Sequence, residues 1–488
     1  MSGTRNILVF LAMFKCYILG QRYYMISILR SSFIALFLTA MPQAAHADPV
    51  DDLVQAEMAA SNTPGVAISI IQEGKLMRAQ GFGQADIELG VPVHSDTLFK
   101  TGATGMQLTA AAIMLLVEDG KLNLDAPVTE YLKGAPRKWH KVTVRQLLDH
   151  TSGLPATPNG DFRTDYTTDQ LLAIIAAEDL NFAAGSRWRF SYAGYIVLGF
   201  VIEEITGEHW TKFVQQRLFA PLGMHSARGI DELAIIPNRS AGYEVRQGNL
   251  RNAEWISQTA NSTADGSVYL SVLDYAAWAR AVSQRQLLRP SSWKELAQPA
   301  KLNDGSTCAY SPGWFLSPAT QSWWHSGSWQ GFQTYALRYP GQDLTIAVFA
   351  NGEAADVQLL ARGLAAVVDP ALTRVRADAR PDADPATTAR VRSLLEAIAS
   401  GQPDYADYID FARLDFDELT ALYGGMVSEL GGMEEFALFD MRKGCAETAS
   451  RYRARYKGGI VEVRIGMTDN GKVSNLEMVP VREWNEPL

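Results

Sequence analysis

From Val66 to Gly83 apolar and polar residues alternate on either side of Glu73-Gly74, a period-two pattern broken by a turn pair that predicts a β-hairpin. Between Met106 and Val117 the pattern changes, and only Gln107 and Thr109 are polar. This predicts a helix within Phe99–Gly120, apolar on nearly every face and therefore at the centre of a large core. Gly120 offers a left-handed residue to end it, and the short run Thr101 to Gly105 sits where it begins. Unpaired backbone N–H groups and the positive end of the helix dipole gather at such a start, which favours an anion or a nucleophile there. Further on, Phe332 to Tyr339 and Leu344 to Ala350 read as strands joined by the turn Pro340-Gly341-Gln342-Asp343, and Ala355 to Val368 reads as a helix.

Residues 369 to 386 are rich in Pro, Asp, Ala and Arg without hydrophobic periodicity, and read as a linker. Beyond it a helix is expected near Ala389 to Ala399, with strands at Phe436 to Arg442, Ala449 to Tyr456 and Ile460 to Met467. Asp469-Asn470-Gly471 then turns the chain into Val473 to Val479. The expected organisation is a leader over 1–47, a large domain over 48–368, the linker over 369–386 and a small α+β domain over 387–488, large enough for its own core.

The leader reading rests on Arg30, the apolar run Phe33 to Ala40 and the small-x-small site Ala45-His46-Ala47, with translation expected to start at Met25. About ten apolar residues are too few to span a bilayer. A secretory signal of this kind predicts a periplasmic or secreted protein whose mature chain begins at Asp48, with no stable membrane span. Loss of the four Arg and Lys of residues 1–47 takes the net charge of the 488-residue chain from −9 to −13. Such a balance argues against nucleic acid or anionic lipid as the main partner. With 47% hydrophobic and 20% charged residues the composition is that of an ordinary globular protein. Export removes Cys16 and leaves Cys308 and Cys445, which are able to pair in an oxidising compartment although their spacing alone does not show it. No Cys/His cluster has metal-ligand spacing and no Gly-rich phosphate loop follows a strand, so no metal or cofactor is expected.

The stretch Phe99 to Leu122 resembles the class C β-lactamases and penicillin-binding-protein-like serine hydrolases, in which Ser-x-x-Lys opens the central helix. Phe99, Gly102, Gln107, Thr109, Ala110 to Ala112 and Leu116-Val117-Glu118-Asp119-Gly120-Lys121-Leu122 fit that frame. Ala103 stands where the family has its serine, and Met106 where it has its lysine. A second box, Tyr-x-Asn in a loop facing the nucleophile, falls on Phe190 and Tyr192, flanked by matching Gly185, Ala193, Gly194, Tyr195 and Leu198-Gly199. The third box, His325-Ser326-Gly327, matches. The resemblance covers about three quarters of the chain. It implies an α/β (α+β) fold with a β-lactamase/transpeptidase-like antiparallel sheet flanked by helices, with helices and surface loops over 208–320; His325 is expected either to stand beside a docked ligand or to be a structural hydrogen-bonder on an edge strand. It also implies that Val142 to Leu154 is a helix and tight turn, so that Asp149 and His150 fix a turn by hydrogen bonds and do not form a dyad.

The mechanism implied by the family needs an oxygen nucleophile, a base and donors for the developing oxyanion. Ala103 has no heteroatom, Met106 no titratable nitrogen and Phe190 no phenol, while Tyr192 puts a bulky ring where the family has a small amide. Removing one member of such a unit typically costs about 10⁴-fold in turnover. The backbone N–H groups of Ala103 and Ser328 correspond to the family's oxyanion donors and do not depend on side-chain identity. The expectation is therefore an exported, catalytically inactive relative that binds a small molecule, peptide or cell-wall fragment at Tyr192, His325, Ser326, Gly327 and Ser328. The alternatives are a hydrolase of the esterase, peptidase or β-lactamase type using Tyr192, His325, Ser191 or Ser328, and an interaction module in which residues 387–488 act and the large domain is a scaffold.

Overall fold

The computed structural model describes residues 48–484 except 247–248, 319, 373–377, 410–415, 446, 469 and 482–483. The expected leader, its cleavage site and Asp469 of the C-terminal turn lie outside the described residues. Among the described residues no helix is long and apolar enough to cross a membrane.

The large domain is built on one antiparallel sheet. Its strands are β1 (Gly65–Gln72), β2 (Lys75–Asp86), β3 (Val91–Pro92), β4 (Tyr310–Ser311), β5 (Trp314–Ser317), β6 (Ser322–Trp329), β7 (Phe332–Tyr339) and β8 (Leu344–Ala350), in the spatial order β3-β2-β1-β8-β7-β6-β5-β4. The central strands are apolar at nearly every position because both faces are covered. Val66, Ile68 and Ile70 of β1 and Ile346 and Val348 of β8 turn to one layer, where they meet the helices Pro49–Ser61 and Val357–Val368. Ala67, Ile71, Ala347 and Phe349 turn to the other and join the main core. Two-sided burial thus makes continuous apolar runs from a period-two geometry.

The main core surrounds the helix Met106–Glu118, of which Met106 to Leu116 are all buried. Its two polar residues are tied into the core, although the Gln107 Nε2 is left without a partner among the described residues. Gln107 Oε1 accepts from Tyr275 Oη at 3.1 Å and Trp278 Nε1 at 2.8 Å, and Thr109 Oγ1 donates to the Ala264 carbonyl at 2.7 Å. Phe99-Lys100 forms a short strand and Gly102–Gly105 a 3₁₀ turn, so the α-helix starts later than the sequence pattern suggested and position 103 lies in the turn before it.

Two expectations are corrected here. The third box is not on an edge strand: β6 is flanked by β7 on one side and by β5 and then β4 on the other. These two short strands fall within 208–320, where helices and loops were expected, and they close over the outer side of His325. In the C-terminal region the four expected strands form an antiparallel sheet, Met433–Lys443, Thr448–Tyr456, Gly459–Met467 and Val473–Val481, against the helices Pro385–Ala399 and Phe416–Leu430. The second of these helices was not anticipated. Cys308 and Cys445 form a disulfide, packed with Ala300, Leu302 and Trp188.

The sheet and the helix start meet at glycine. A Cβ on Gly327 would lie 1.9 Å from the Thr101 carbonyl oxygen and 2.9 Å from the Thr104 nitrogen, so the turn packs directly on β6 backbone. Thr334, the neighbour of Gly327 on β7, donates to the same Thr101 carbonyl at 2.6 Å. Gly327→Ala must therefore push strand and turn apart, and it should lower unfolding free energy by about 1–3 kcal/mol or more. Urea denaturation checks this; an unchanged midpoint and slope would refute the close packing.

Candidate functional site

The turn at 101–105 is held from two sides. Thr101 Oγ1 donates to the Gly266 carbonyl at 2.8 Å, and Thr104 Oγ1 lies 2.9 Å from Thr334 Oγ1. Gly266 has φ +116°, and a Cβ there would lie 2.0 Å from the Gly102 carbonyl oxygen. Backbone from three distant parts of the chain is thereby brought together around Ala103. Lys100, immediately before, is buried and pairs with Glu232 and Gln330, and it donates to Asn261 Oδ1 at 3.3 Å. Burial pulls its pKa down against that ion pair. Asn261 Oδ1 also accepts from Trp329 Nε1 at 2.8 Å, which fixes the indole at the end of β6.

The second-box residues lead into the helix Tyr192–Thr206. Ser191 caps it: its Oγ accepts from the Gly194 N–H at 3.0 Å and donates to the Pro155 carbonyl at 2.6 Å. Buried at 1% exposure and used in both directions, this hydroxyl is not free to act as a nucleophile. The Ser191 N–H donates to His150 Nδ1 at 3.1 Å, and the Arg189 N–H to the His150 carbonyl at 2.9 Å. His150 takes φ +59° at the turn after the helix Val144–Leu148. It joins that turn to the second box, and burial keeps it neutral by lowering its pKa well below the usual histidine range. Asp149 is buried too, and burial raises its pKa to about 7.

Phe190 lies in an aromatic cluster. Its ring centroid is 4.4 Å from His150, 5.1 Å from Tyr192, and 6.0 Å from both Phe315 and His325. Phe315, on β5, stacks on Trp324 at 4.4 Å and reaches His325 at 5.3 Å and Tyr310 at 5.0 Å. Met106 is fully buried nearby in sequence to the turn. His325 is 1% exposed, its Nδ1 donating to the Ser326 carbonyl at 2.8 Å and its Nε2 facing Tyr310 Oη at 3.4 Å. Burial lowers its pKa to about 4, so it is neutral at physiological pH. Of the two expectations for His325, its burial and its bonds to Ser326 and Tyr310 are those of a structural hydrogen-bonder, with β4 and β5 enclosing the ring.

Beside this cluster a cleft of ≈ 280 Å³ remains open. Of the residues singled out in the sequence, Ala103, Tyr192 and Ser328 line it; Met106, Phe190, Ser191, His325, Ser326 and Gly327 do not. Ser326 is exposed elsewhere on β6, and Gly327 is covered by Thr101. Ser328 is exposed, and its hydroxyl accepts from Gln333 Nε2 at 3.1 Å, with neither buried histidine offering it a base. The other walls are Phe162, Tyr166, Ile196 and Trp329, with Phe162 and Trp329 edge to face at 6.0 Å. Asp265 also lines the cleft and was missed in the sequence, where Ala264-Asp265-Gly266-Ser267 reads as an ordinary turn. Its Oδ1 accepts from Thr263 Oγ1 at 2.7 Å and Ser267 Oγ at 3.3 Å. Burial raises its pKa to about 6, and burial followed by the nearby Asp265 charge raises that of Tyr192.

A small cleft with aromatic walls, beside a turn presented by a core helix and a sheet strand, places this chain in a recognisable class. Residues 50–369 match the family described as Beta-lactamase, and the chain belongs to that family. It is 27% identical over 302 residues to penicillin-binding protein 4* of Bacillus subtilis, covering 57% of this chain and 66% of that protein. It is 25% identical over 315 residues to protein flp of Staphylococcus aureus, covering 62% of each. The chain thus spans less than two thirds of the length of these relatives. Among solved structures, the octameric penicillin-binding protein homologue from Pyrococcus abyssi superposes with a TM-score of 0.58 at 20% identity, over 89% of this chain and 96% of that one. A penicillin-binding protein from Bacillus halodurans gives 0.56 at 23% identity, over 64% and 98%. Both share the fold.

Asp265 carries a checkable cost. Its folded pKa is raised above the unfolded value near 3.8, so the stability it contributes is complete below about pH 4 and is lost as pH rises through about 6. Tyr192 faces it as a neutral phenol, and Asp161 is the other carboxylate lining the cleft. Asp265→Asn should match the parent in thermal stability at pH 4 and exceed it by pH 8, by at most about 3 kcal/mol. Asp149 shifts both proteins alike and cancels. A stability difference that is flat between pH 4 and 8 would contradict the buried charge.

Proposed function

We propose that this member of the β-lactamase family is an exported pseudoenzyme that binds a small molecule, peptide or cell-wall fragment in the open part of the cleft without acyl transfer. The observation that carries the reading is the contrast between the two halves of the site. At the position matching the family's nucleophile, Ala103 lines open space with no heteroatom. At the positions matching its base and phenol, Met106 is buried and Phe190 is packed among rings. A side chain cannot take a proton without a titratable atom, and burial lowers the pKa of His150 and His325, which makes both enclosed imidazoles poor proton acceptors.

The frame that presents position 103 is intact, which supports retention of the cleft for binding. The names of the relatives, penicillin-binding proteins among them, favour ligands of the cell-wall peptide or β-lactam kind. Export is supported by the leader pattern and by the Cys308–Cys445 disulfide, a bond that persists in oxidising compartments. The small C-terminal domain is proposed to span 387–488 behind a linker at 369–386.

Incubation with benzylpenicillin or a fluorophosphonate should leave the intact mass unchanged, and a chromogenic cephalosporin should not be turned over. A stoichiometric adduct on any residue of the cleft would sink the pseudoenzyme reading.

A further inference from the structure

A second cavity, of ≈ 290 Å³, shares no lining residue with the cleft. It is walled by the helices Val272–Gln284 and Pro290–Leu296 and by residues of β5, β6 and β7. Four tryptophans line it in two pairs: Trp278 and Trp293 have ring centroids 5.9 Å apart, and Trp314 and Trp323 6.2 Å apart. Gln107, four residues beyond Ala103, joins this wall and is 2% exposed. Trp278 Nε1 can only donate, so the amide atom it reaches at 2.8 Å is the oxygen. The orientation of the amide is thereby fixed, and Nε2 is the atom left without a partner among the described residues. A buried donor without an acceptor costs stability. Arg338, opposite Trp323 in register, is buried and pairs with Asp343 Oδ1 at 2.6 Å, while Asp343 Oδ2 accepts from Ser283 Oγ at 2.5 Å. These two charges cancel, and a carboxylate accepts about four hydrogen bonds, so Asp343 has capacity to spare. The indole N–H groups of Trp314 and Trp323 and the exposed guanidinium of Arg285 have no partner among the described residues.

We propose that this cavity binds a neutral pyranose ring, with its C–H face against an indole and its hydroxyls exchanging hydrogen bonds with Gln107 Nε2, Arg285 and Asp343. The lining combines apolar walls with unused donors and an acceptor of spare capacity, which is the arrangement of a small-molecule site. A pyranose is the complementary shape: two apolar faces, and a periphery of hydroxyls that each donate and accept. A purely apolar ligand would leave Gln107 Nε2 without an acceptor, and a carboxylate would bring its charge up to that of Asp343. A volume of ≈ 290 Å³ accommodates one such ring. The inference does not depend on the reading of the cleft, since the two sites have no residue in common.

The test uses the full mature chain carrying ¹⁵N-labelled tryptophan, with the indole NMR signals of Trp314 and Trp323 assigned through Trp314→Phe and Trp323→Phe. The probes are the methyl pyranosides of glucose, galactose, mannose and N-acetylglucosamine, with benzoate as an anion that only accepts hydrogen bonds. In the unmodified protein at least one pyranoside should shift both indole signals saturably below about 100 mM, and benzoate should shift neither. Gln107→Glu keeps an oxygen for Tyr275 and Trp278 and removes the free donor, whereas Trp323→Leu removes one ring. With folding confirmed by the thermal transition, each should weaken pyranoside binding about tenfold. No saturable shift with any pyranoside, saturation by benzoate, or unchanged affinity in either folded variant overturns the proposal. A response confined to Trp329 also overturns it and assigns the sugar to the cleft, so the two sites are judged separately. The contrast between pyranosides and benzoate is read on the unmodified protein, so it decides the matter even if both variants unfold.

Discussion

The close approach of β6 to the turn at Thr101–Gly105 governs the rest of the site. It requires an absent side chain at Gly327 and at Gly266, and it is tied by Thr101, Thr104 and Thr334. Because the turn is bonded to sheet backbone on one side and to the 266–268 backbone on the other, Ala103, Ser328 and Asp265 are placed relative to each other by main chain. Substitution of a side chain in the cleft leaves that arrangement in place.

The two halves of the site respond to different physics. Around Phe190 burial prevails: Phe315, Trp324, Tyr310, His150 and His325 interlock, and their polar atoms are tied into the protein where they have partners. Histidines in such surroundings lose their charge. In the open half Asp265 has hydroxyl donors but no cationic partner among the described residues, and its raised pKa marks a cost of ionisation in the folded chain.

Much of the architecture was legible in the sequence. The hairpin about Glu73-Gly74, the strands ending at Tyr339 and Ala350 and the helix running through Ala110 to Ala112 carry their periodicity locally, and the family frame around Phe99 and Gly102 identified the fold. What was not legible depends on short or distant elements. Strands Tyr310–Ser311 and Trp314–Ser317 are only two and four residues long and are separated by Pro312-Gly313, which reads as a turn. Without them nothing announces that Phe315 will cover His325, so the third box was assigned to the ligand. Asp265 was overlooked because a turn-like Asp-Gly is uninformative until the distant backbone around Gly102 is in place. Tyr192 and Ser328 were identified because the boxes fix them by register.

On the proposed reading, acyl transfer is lost because the half of the site around Phe190 is filled by apolar packing, and not because one oxygen is missing. Ala103→Ser restores an oxygen at the head of the turn and nothing else. Steady-state hydrolysis of p-nitrophenyl acetate by this variant, with folding verified by its thermal transition, tests the claim directly. The account predicts a folded protein whose rate stays within about threefold of the parent, since Met106, Phe190 and the enclosed histidines supply no base. A rate increase of about 10³-fold or more from this single change would contradict it, and would mean that a working proton acceptor still faces position 103.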